Sequence, residues 1–272
     1  MSGFLEEMAA ASQARVASAR RLRAEAELQR LVAACGPAPQ LHLHESGFDL
    51  IAELKLRSPA AGVLRTPEEN VPQRVAAYAR GGAAAVSVLT EPTRFDGELG
   101  HLDSAARALL PTRVPAMRKD FLVDPYQVLE ARLAGAGGIL VILRMLSPAQ
   151  LDALLGCART QGMFVLLEAF DAGDIEQMHA LVQMHGAGMR LLAGINCRDL
   201  NTLEVVPRRL LELLPLLPRQ VPRVAESGVA SEQDVRAVAA AGYQLALIGS
   251  ALMRGGDPQG LVATLLAAGR SA

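Results

Sequence analysis

Short apolar runs recur along the chain after residue 47, separated by longer amphipathic stretches. Runs of this length, bounded by turn residues, predict buried strands. The amphipathic stretches carry helix start and stop signals, with Ser147 and Ser231 as expected N-caps and trailing glycines as C-caps. The predicted strands are LIAELK (50–55), AVSVLT (85–90), PAMRK (115–119), GILVIL (138–143), FVLLEA (164–169), LLAGIN (191–196), RVAES (223–227) and LALIGS (245–250).

Strands that alternate with helices indicate a parallel sheet with right-handed crossovers. Eight such units in a chain of 272 residues fit a single (β/α)8 TIM barrel, which typically has about 250 residues. An open, doubly wound sheet is the alternative, but no G-x-G-x-x-G follows the first strand. We therefore predict an α/β fold in which residues 48–272 form the barrel and residues 1–47 form an N-terminal helical extension packed on it.

The N-terminal segment is rich in Ala, Arg and Glu and lacks the apolar region of a secretory signal. No apolar run in the sequence approaches the length of a transmembrane helix. We expect a cytoplasmic protein.

Polar residues cluster where the predicted strands end. Glu53 and Lys55 are two residues apart, so both should point to the same side of their strand. In a barrel, the carboxyl ends of the strands carry the active site. The polar residues at these ends are Glu53, Lys55, Ser58, Thr90, Glu91, Lys119, Asp120, Arg144, Glu168, Asn196, Arg198, Glu226, Ser227 and Ser250.

Charges at the ends of apolar strands are costly to bury unless they pair with one another or serve a ligand. Lysines and glutamates that share such a site should have shifted pKa values, which suits acid and base catalysis. We expect neighbouring cations such as Arg118 or Lys55 to lower the pKa of Lys119. No Ser-His-Asp triad is present at these positions.

The seventh and eighth strands each end in a turn of small residues, AESGV and LIGSAL. Barrel enzymes commonly bind a phosphate at this place. Gly228 and Gly249 allow close approach of backbone N–H groups, and Ser227 and Ser250 add hydroxyl groups. These turns predict a phosphate site.

Composition narrows the ligand classes. A net charge of −1 and a pI near 6.5 give no basic surface for nucleic acid or an acidic membrane. Three cysteines without a repeated spacing indicate no disulfide framework, and the five histidines form no metal-binding pair. We expect a small-molecule ligand and no metal.

Several motifs together resemble the indole-3-glycerol phosphate synthase family. In order they are IAELKLRSPAAG, AVSVLTEPTRFDGELGHL, RKDFLVDPYQVLEARLAGAGGILVI, GINCRDLNTLEV, ESGV and LIGSALM, and they cover about residues 47 to 255. The helical N-terminal segment is also similar to that family. The most specific motifs are RKDFLVDPYQ and ELKLRSP.

The resemblance implies conversion of 1-(2-carboxyphenylamino)-1-deoxyribulose 5-phosphate to indole-3-glycerol phosphate, carbon dioxide and water, without a cofactor. It implies that Lys119 is the general acid and Glu168 the base, with Glu53, Lys55 and Asn196 completing the catalytic set. The implied substrate-binding residues are Ser58, Phe121, Arg198, Leu200, Glu226, Ser227 and Leu247, and the implied phosphate-binding residues are Gly228, Gly249 and Ser250.

Phe121 matches a family position that packs against the substrate's aromatic ring, and Phe95 is a second candidate. We interpret Tyr126 and Phe170 as structural. Cys197 departs from the family's usual Asn or Ser, and we interpret it as a small packing residue rather than a reactive thiol. Leu56 departs from a commonly basic position.

There are three alternatives to synthase activity. An aldolase-type barrel would form a Schiff base on Lys55 or Lys119. A non-catalytic or specialised-pathway relative would bind a phosphorylated aromatic compound. A phosphoribosylanthranilate isomerase would need a cysteine near the end of the first strand, where the chain has Glu53 and Lys55. We expect a monomer or weak homodimer that can dock with other tryptophan-pathway enzymes.

Overall fold

The computed structural model describes residues 3–45, 47–64, 69–200 and 202–272. The first two residues of the predicted extension, and residue 46 near its end, lie outside the described residues. Within the described ranges the strands are β1 (Asp49–Leu54), β2 (Arg57–Ser58), β3 (Gly62–Val63), β4 (Ala85–Leu89), β5 (Ala116–Lys119), β6 (Gly138–Ile142), β7 (Phe164–Ala169), β8 (Leu191–Asn196), β9 (Arg223–Glu226) and β10 (Leu245–Ile248).

Eight parallel strands close into a barrel in the order β1-β10-β9-β8-β7-β6-β5-β4. The predicted TIM barrel is thus confirmed, and each apolar run corresponds to one of its strands. The first strand closes the barrel by pairing with both its sequence neighbour and the last strand, as shown by Glu53 opposite Ser87 and Ile51 opposite Leu247. The remaining two strands, β2 and β3, form a small antiparallel hairpin above the barrel.

Helices alternate with the barrel strands. Ser147 and Ser231 cap their helices through reciprocal capping boxes, as predicted. The helices in the described residues are α1 (Gly3–Leu22), α2 (Glu25–Ala33), α3 (Val71–Arg80), α4 (Pro92–Phe95), α5 (Leu99–Leu109), α6 (Pro125–Leu133), α7 (Pro148–Thr160), α8 (Ala172–His185), α9 (Arg208–Leu213), α10 (Glu232–Ala241), α11 (Ser250–Arg254) and α12 (Pro258–Arg270).

The two helices before the barrel pack on it with apolar side chains. Leu5 and Met8 of α1 belong to the main core that also contains the barrel strands. Further along, Val16 of α1 and Leu28 of α2 form a second apolar cluster with Tyr126 of α6. The hydroxyl of Tyr126 donates to backbone carbonyls of α1 and of the turn after it. The N-terminal helices therefore rest against the region around α6.

None of the helices that the structure describes is long and apolar enough to cross a bilayer.

Candidate active site

A cavity of about 420 Å³ opens at the carboxyl ends of the barrel strands. This volume is in the usual range for small-molecule sites. Every residue that the family resemblance implies for catalysis, substrate binding or phosphate binding lines this cavity. These residues are Glu53, Lys55, Ser58, Lys119, Phe121, Glu168, Asn196, Arg198, Leu200, Glu226, Ser227, Gly228, Leu247, Gly249 and Ser250.

Glu53 and Lys55 lie on the same side of the chain at the end of β1, as the alternation of strand side chains predicted. Lys55 Nζ is 2.6 Å from Glu53 Oε1. Burial alone would raise the pKa of Glu53, but the charges of Lys55, Lys119 and Arg198 outweigh it and lower the pKa below its ordinary value. Gly249 is required beside this pair, because a Cβ there would overlap the Glu53 carboxylate.

Lys119 ends β5 and places its ammonium group between two carboxylates. Nζ is 3.6 Å from Glu168 Oε2 and 3.5 Å from Glu226 Oε2. Burial alone would lower the pKa of Lys119, but attraction by Glu168, Glu226 and Glu53 raises it above its ordinary value. The expectation that neighbouring cations lower this pKa is therefore wrong. We call Glu53, Lys55, Lys119, Glu168 and Glu226 the inner cluster.

Arg118 lies on the opposite side of β5 from Lys119 because strand side chains alternate. Its guanidinium donates to Thr90 Oγ1, the Gln127 carbonyl, Glu130 Oε2 and Asp120 Oδ2, at 2.9 to 3.2 Å. Arg118 therefore does not act on Lys119 as expected. Arg118 belongs to a second group of buried or partly buried polar and charged side chains, which we call the outer cluster: Arg15, Thr90, Arg118, Asp120 and Glu130.

Glu168 is oriented by a chain of hydrogen bonds at the end of β7. The Asn196 amide donates to Glu168 Oε1, and Asn196 Oδ1 accepts from Ser227 Oγ at 2.9 Å. The backbone N–H of Arg198 donates to the same Asn196 oxygen at 2.9 Å. Glu168 Oε2 has no hydrogen-bond partner among the described residues and is left with only the more distant Lys119 ammonium. One oxygen is thus fixed, and the other is available to a ligand.

Glu226 faces the same lysine from the end of β9. Burial, followed by repulsion from Glu168, raises the pKa of Glu226 to about 8. Its Oε1 atom has no hydrogen-bond partner within the described part of the chain. Gly194 makes room for this carboxyl group, because a Cβ there would overlap Oε1. Burial and the neighbouring carboxylate thus favour the protonated form of Glu226 near neutral pH.

The predicted phosphate-binding residues form two turns on one side of the cavity. Ser227 and Gly228 both have positive φ angles, 65° and 70°, so the chain bends sharply after β9. Ser227 is not a glycine, so its left-handed conformation stores strain, a feature that often marks functional sites. Gly249 precedes α11, which begins at Ser250.

Aromatic side chains form one wall of the cavity. The Phe121 ring meets the Phe4 ring edge to face, with centroids 5.8 Å apart and planes at 76°. The Phe95 ring lies 6.2 Å from Phe121 in a tilted arrangement. Sequence reasoning missed Phe4, which reaches the cavity from the N-terminal helix. It also treated Phe170 as structural, although Phe170 lines the cavity.

Some polar residues at the strand ends do not line the cavity. Thr90 belongs to the outer cluster, and Glu91 caps α4 through its carboxylate. Arg144 forms ion pairs with Asp171 and Asp174 and covers the Phe170 ring at 4.8 Å. These side chains face away from the cavity and stabilise the surrounding loops.

Cys197 is fully buried, and burial raises the pKa of its thiol to about 11. A thiol in this state is a poor nucleophile, which agrees with a packing role. No group of three or more His, Cys, Asp or Glu side chains in the described ranges is arranged to hold a metal ion.

Fold and site together define a TIM-barrel protein whose cavity brings a lysine and buried carboxylates together, an arrangement typical of enzymes that act on small molecules. Residues 5–265 match the family described as indole-3-glycerol phosphate synthase. The chain belongs to this family, and its activity is the carboxy-lyase reaction of tryptophan biosynthesis that defines the family.

Relatives support the assignment over nearly the whole chain. The indole-3-glycerol phosphate synthase of Micrococcus luteus is 44% identical over 249 residues, which cover 88% of each chain. That of Bordetella pertussis is 39% identical over 274 residues, covering 98% of this chain and 100% of the relative. Among solved structures, 3-hexulose-6-phosphate synthase from Salmonella typhimurium has a TM-score of 0.61 at 15% identity, covering 81% of this chain and 98% of that one. This last likeness shows the fold alone.

Proposed function

We propose that this cavity closes the indole ring of 1-(2-carboxyphenylamino)-1-deoxyribulose 5-phosphate, with Lys119 as general acid and Glu168 as general base. The observation that carries the proposal is the position of the Lys119 ammonium, 3.6 Å from Glu168 and 3.5 Å from Glu226, beside a wall of aromatic rings. An acid and a base thus lie within reach of one reacting group.

Ring closure requires a proton at the ketone oxygen. The ring carbon that bears the carboxylate attacks the ketone carbon, and the π electrons of the carbonyl bond move to its oxygen. Lys119 donates a proton there as the charge develops. Its raised pKa does not prevent this transfer, because the forming alkoxide is more basic than an amine. The surrounding carboxylates keep Lys119 charged until the substrate oxygen arrives.

Loss of carbon dioxide follows without a cofactor. The electrons of the breaking carbon–carbon bond return to the ring and restore its aromaticity. Lys119 regains a proton from solvent and passes it to the hydroxyl group at the former ketone carbon, which leaves as water, and the adjacent methylene group loses a proton. Glu168 accepts that proton, because Asn196 fixes one of its oxygens and leaves the other free of hydrogen bonds within the described residues. The enzyme supplies orientation and charge stabilisation.

Substrate binding is divided between the two sides of the cavity. The aromatic ring packs on Phe121, with Phe95 beside it, and Leu200 and Leu247 add apolar contact. The Ser227–Gly228 and Gly249–Ser250 turns bind the phosphate. Between these two ends, Ser58 and Arg198 hold polar groups of the substrate, and Glu53 and Lys55 orient the reacting atoms.

The aldolase-type alternative is less well supported. A Schiff base requires a neutral amine. The carboxylates around Lys119 raise its pKa, and Lys55 is paired with Glu53 at 2.6 Å. Borohydride treatment in the presence of substrate should therefore trap no covalent adduct detectable by mass spectrometry.

We also propose that residues 1–47 are an extension of a catalytic domain comprising residues 48–272. We further propose that the protein is a cytoplasmic monomer or weak homodimer that docks with other tryptophan-pathway enzymes. The three free cysteines among the described residues support a reducing compartment. Sedimentation at several concentrations would test the oligomeric state.

A turnover assay tests the proposed function. Indole fluorescence is followed after the substrate is mixed with wild-type protein, with Lys119→Ala, or with Arg107→Ala, which removes an exposed cation of α5. We expect a signal from the wild type and the Arg107 variant, and a rate lower by about a hundred- to ten-thousand-fold for Lys119→Ala. Full activity of folded Lys119→Ala would contradict the assigned role, and no turnover by a wild type that binds substrate would contradict the catalytic proposal.

A further inference from the structure

We infer that Arg15 of the N-terminal helix is a positioning residue for the loop that carries Lys119 and Phe121. We call residues 119–124, which connect β5 to α6, the lysine loop. The inference rests on the proposed function, because it concerns how the acid and the aromatic wall of that site are held. It assigns a role in turnover to a side chain that does not line the cavity.

Arg15 contacts the lysine loop directly. Its Nη2 atom donates to Asp120 Oδ1 at 2.7 Å, although the two residues are 105 positions apart in sequence. Its Nη1 atom is 4.0 Å from Glu91 Oε1, at the start of α4. Arg15 thus joins α1 to the residues that follow two adjacent barrel strands, β4 and β5.

Asp120 transmits this contact to its two neighbours in sequence. The oxygen that accepts from Arg15 also accepts from the backbone N–H of Phe121, at 2.8 Å. The other oxygen accepts from Thr90 at 2.7 Å and from Arg118 at 3.1 Å. Both oxygens are therefore fixed, so the backbone between Lys119 and Phe121 is held from the side of α1.

Two further contacts place α1 against the same region. Ser12, one turn before Arg15, accepts a hydrogen bond of 2.8 Å from the Gln127 amide, and Gln127 Oε1 in turn accepts from the backbone N–H of Val123. At the beginning of α1, Phe4 meets the Phe121 ring at 5.8 Å. One face of α1 therefore supports the lysine loop along its length.

The exposure of Arg15 and the remaining partners of Asp120 distinguish a role in positioning the lysine loop from a role in stabilising the fold. The Arg15 side chain is 29% exposed, whereas that of Asp120 is fully buried. Asp120 keeps Arg118 and Thr90 as partners when Arg15 is removed, so the free energy of unfolding should fall less than when Arg118 is removed. A displacement of about 1 Å in a catalytic group, by contrast, can cost about a hundredfold in rate. Removing Arg15 should therefore change turnover much more than stability.

Arg20 offers a matched control on the same helix. It also joins α1 to the lysine loop, with Nη2 2.9 Å from Asp124 Oδ1, and its side chain is 41% exposed. Asp124 lies at the far end of the loop, where it caps α6. Arg20→Ala thus loosens the same two elements without touching the residues next to Lys119.

The experiment measures kcat, KM and Tm by indole fluorescence and thermal unfolding for wild type, Arg15→Ala, Arg15→Gln, Arg15→Lys and Arg20→Ala. We expect Arg15→Ala and Arg15→Gln to lose about 10- to 100-fold in kcat/KM, mainly in kcat, with a Tm within a few degrees of wild type. Arg15→Lys should recover most of kcat because it restores a charged donor to Asp120. Arg20→Ala should stay within about twofold.

Three results would overturn the inference. The first is wild-type kcat in folded Arg15→Gln. The second is an equal loss in Arg20→Ala, which would mean that general docking of α1 matters rather than Arg15. The third is a fall in Tm so large that the Arg15 variants are partly unfolded at the assay temperature, because unfolding would then explain the lost activity. Lys119→Ala, assayed alongside, separates the two proposals. Retained activity in Lys119→Ala contradicts the proposed function itself. An inactive Lys119→Ala beside a fully active Arg15→Gln contradicts only the positioning role of Arg15.

Discussion

The inner and outer clusters lie side by side at the end of β5 and differ in how completely their charges are paired. In the outer cluster, Arg118 donates four hydrogen bonds, and each carboxylate oxygen of Asp120 accepts two hydrogen bonds. In the inner cluster, Glu168 Oε2 and Glu226 Oε1 lack hydrogen-bond partners among the described residues. Adjacent residues of one strand thus lead to a fully hydrogen-bonded carboxylate, Asp120, on one side and to carboxylates with unbonded oxygens on the other. Arg15 Nε, at the edge of the outer cluster, also lacks a hydrogen-bond partner among the described residues.

The difference indicates what each cluster does. Buried charges that are fully hydrogen-bonded hold loops in one conformation, and losing one partner leaves the others uncompensated. Buried carboxylates that repel each other around one lysine gain partners when a substrate arrives. The pKa of Asp120 reflects the first case: burial opposes ionisation, but Arg118 and Arg15 hold that pKa below its ordinary value. The raised pKa of Glu226 reflects the second.

The largest effect on stability is expected from Arg118→Met, which breaks the outer cluster. The substitution leaves Asp120 and Glu130 without their shared cation, so the free energy of unfolding should fall by about 3–5 kcal/mol. Urea unfolding measures this change. Arg107→Met, which removes an exposed cation of α5, is the control and should cost less than about 0.5 kcal/mol. A loss below 1 kcal/mol for Arg118→Met would remove the distinction between the clusters.

A smaller effect is expected when pH titrates the inner cluster. The folded protein holds the Glu226 proton up to about pH 8, whereas an unfolded chain releases it near pH 4.3. Because the folded state binds more protons in this window, stability should decrease as pH rises, by up to about 1.4 kcal/mol per pH unit. Thermal unfolding between pH 5.5 and 8.5 should show this slope for wild type and a flatter one for Glu226→Gln. Parallel slopes would contradict the assignment of the proton to Glu226.

The smallest effect is expected at Phe121, whose backbone bonds to the outer cluster and whose ring lines the cavity. Phe121→Leu removes the ring that is proposed to pack on the aromatic ring of the substrate, and an aromatic contact is worth about 0.5–1.5 kcal/mol, so KM should rise about two- to tenfold. The tilted ring of Phe95 should matter less, and Phe95→Leu serves as the comparison. Steady-state kinetics measure both. An unchanged KM in Phe121→Leu would mean that this ring does not bind the substrate.

The sequence alone predicted the strands, because they follow from local periodicity, whereas the expected site residues came from the strand ends together with the family resemblance. The short apolar runs identified the barrel strands, and the two-residue spacing of Glu53 and Lys55 predicted their shared side. The same alternation separates Arg118 from Lys119, so the expected influence of Arg118 on the Lys119 pKa could have been rejected from sequence.

Features that depend on long-range docking were beyond sequence reasoning. Phe4 and Arg15 reach the lysine loop only because α1 lies across it, and nothing in the local pattern of residues 3–22 indicates where that helix docks. The pKa of Lys119 depends on three carboxylates contributed by β1, β7 and β9, so its direction requires the closed barrel. Thr90 and Arg144 follow strands as predicted, but their side chains do not line the cavity. The position of a residue at a strand end does not reveal on which side its side chain lies.

The most direct test of the account is Glu168→Gln, with kcat and the free energy of unfolding measured on the same preparation. The substitution removes an attraction to Lys119 and a repulsion of Glu226, which offset each other in stability, while it removes the proposed base. We expect kcat to fall by about a hundred- to ten-thousand-fold, with a free energy of unfolding within about 0.5 kcal/mol of wild type or above it. Near-normal turnover, or a loss of stability as large as that expected for Arg118→Met, would contradict the claim that the inner cluster serves catalysis rather than folding.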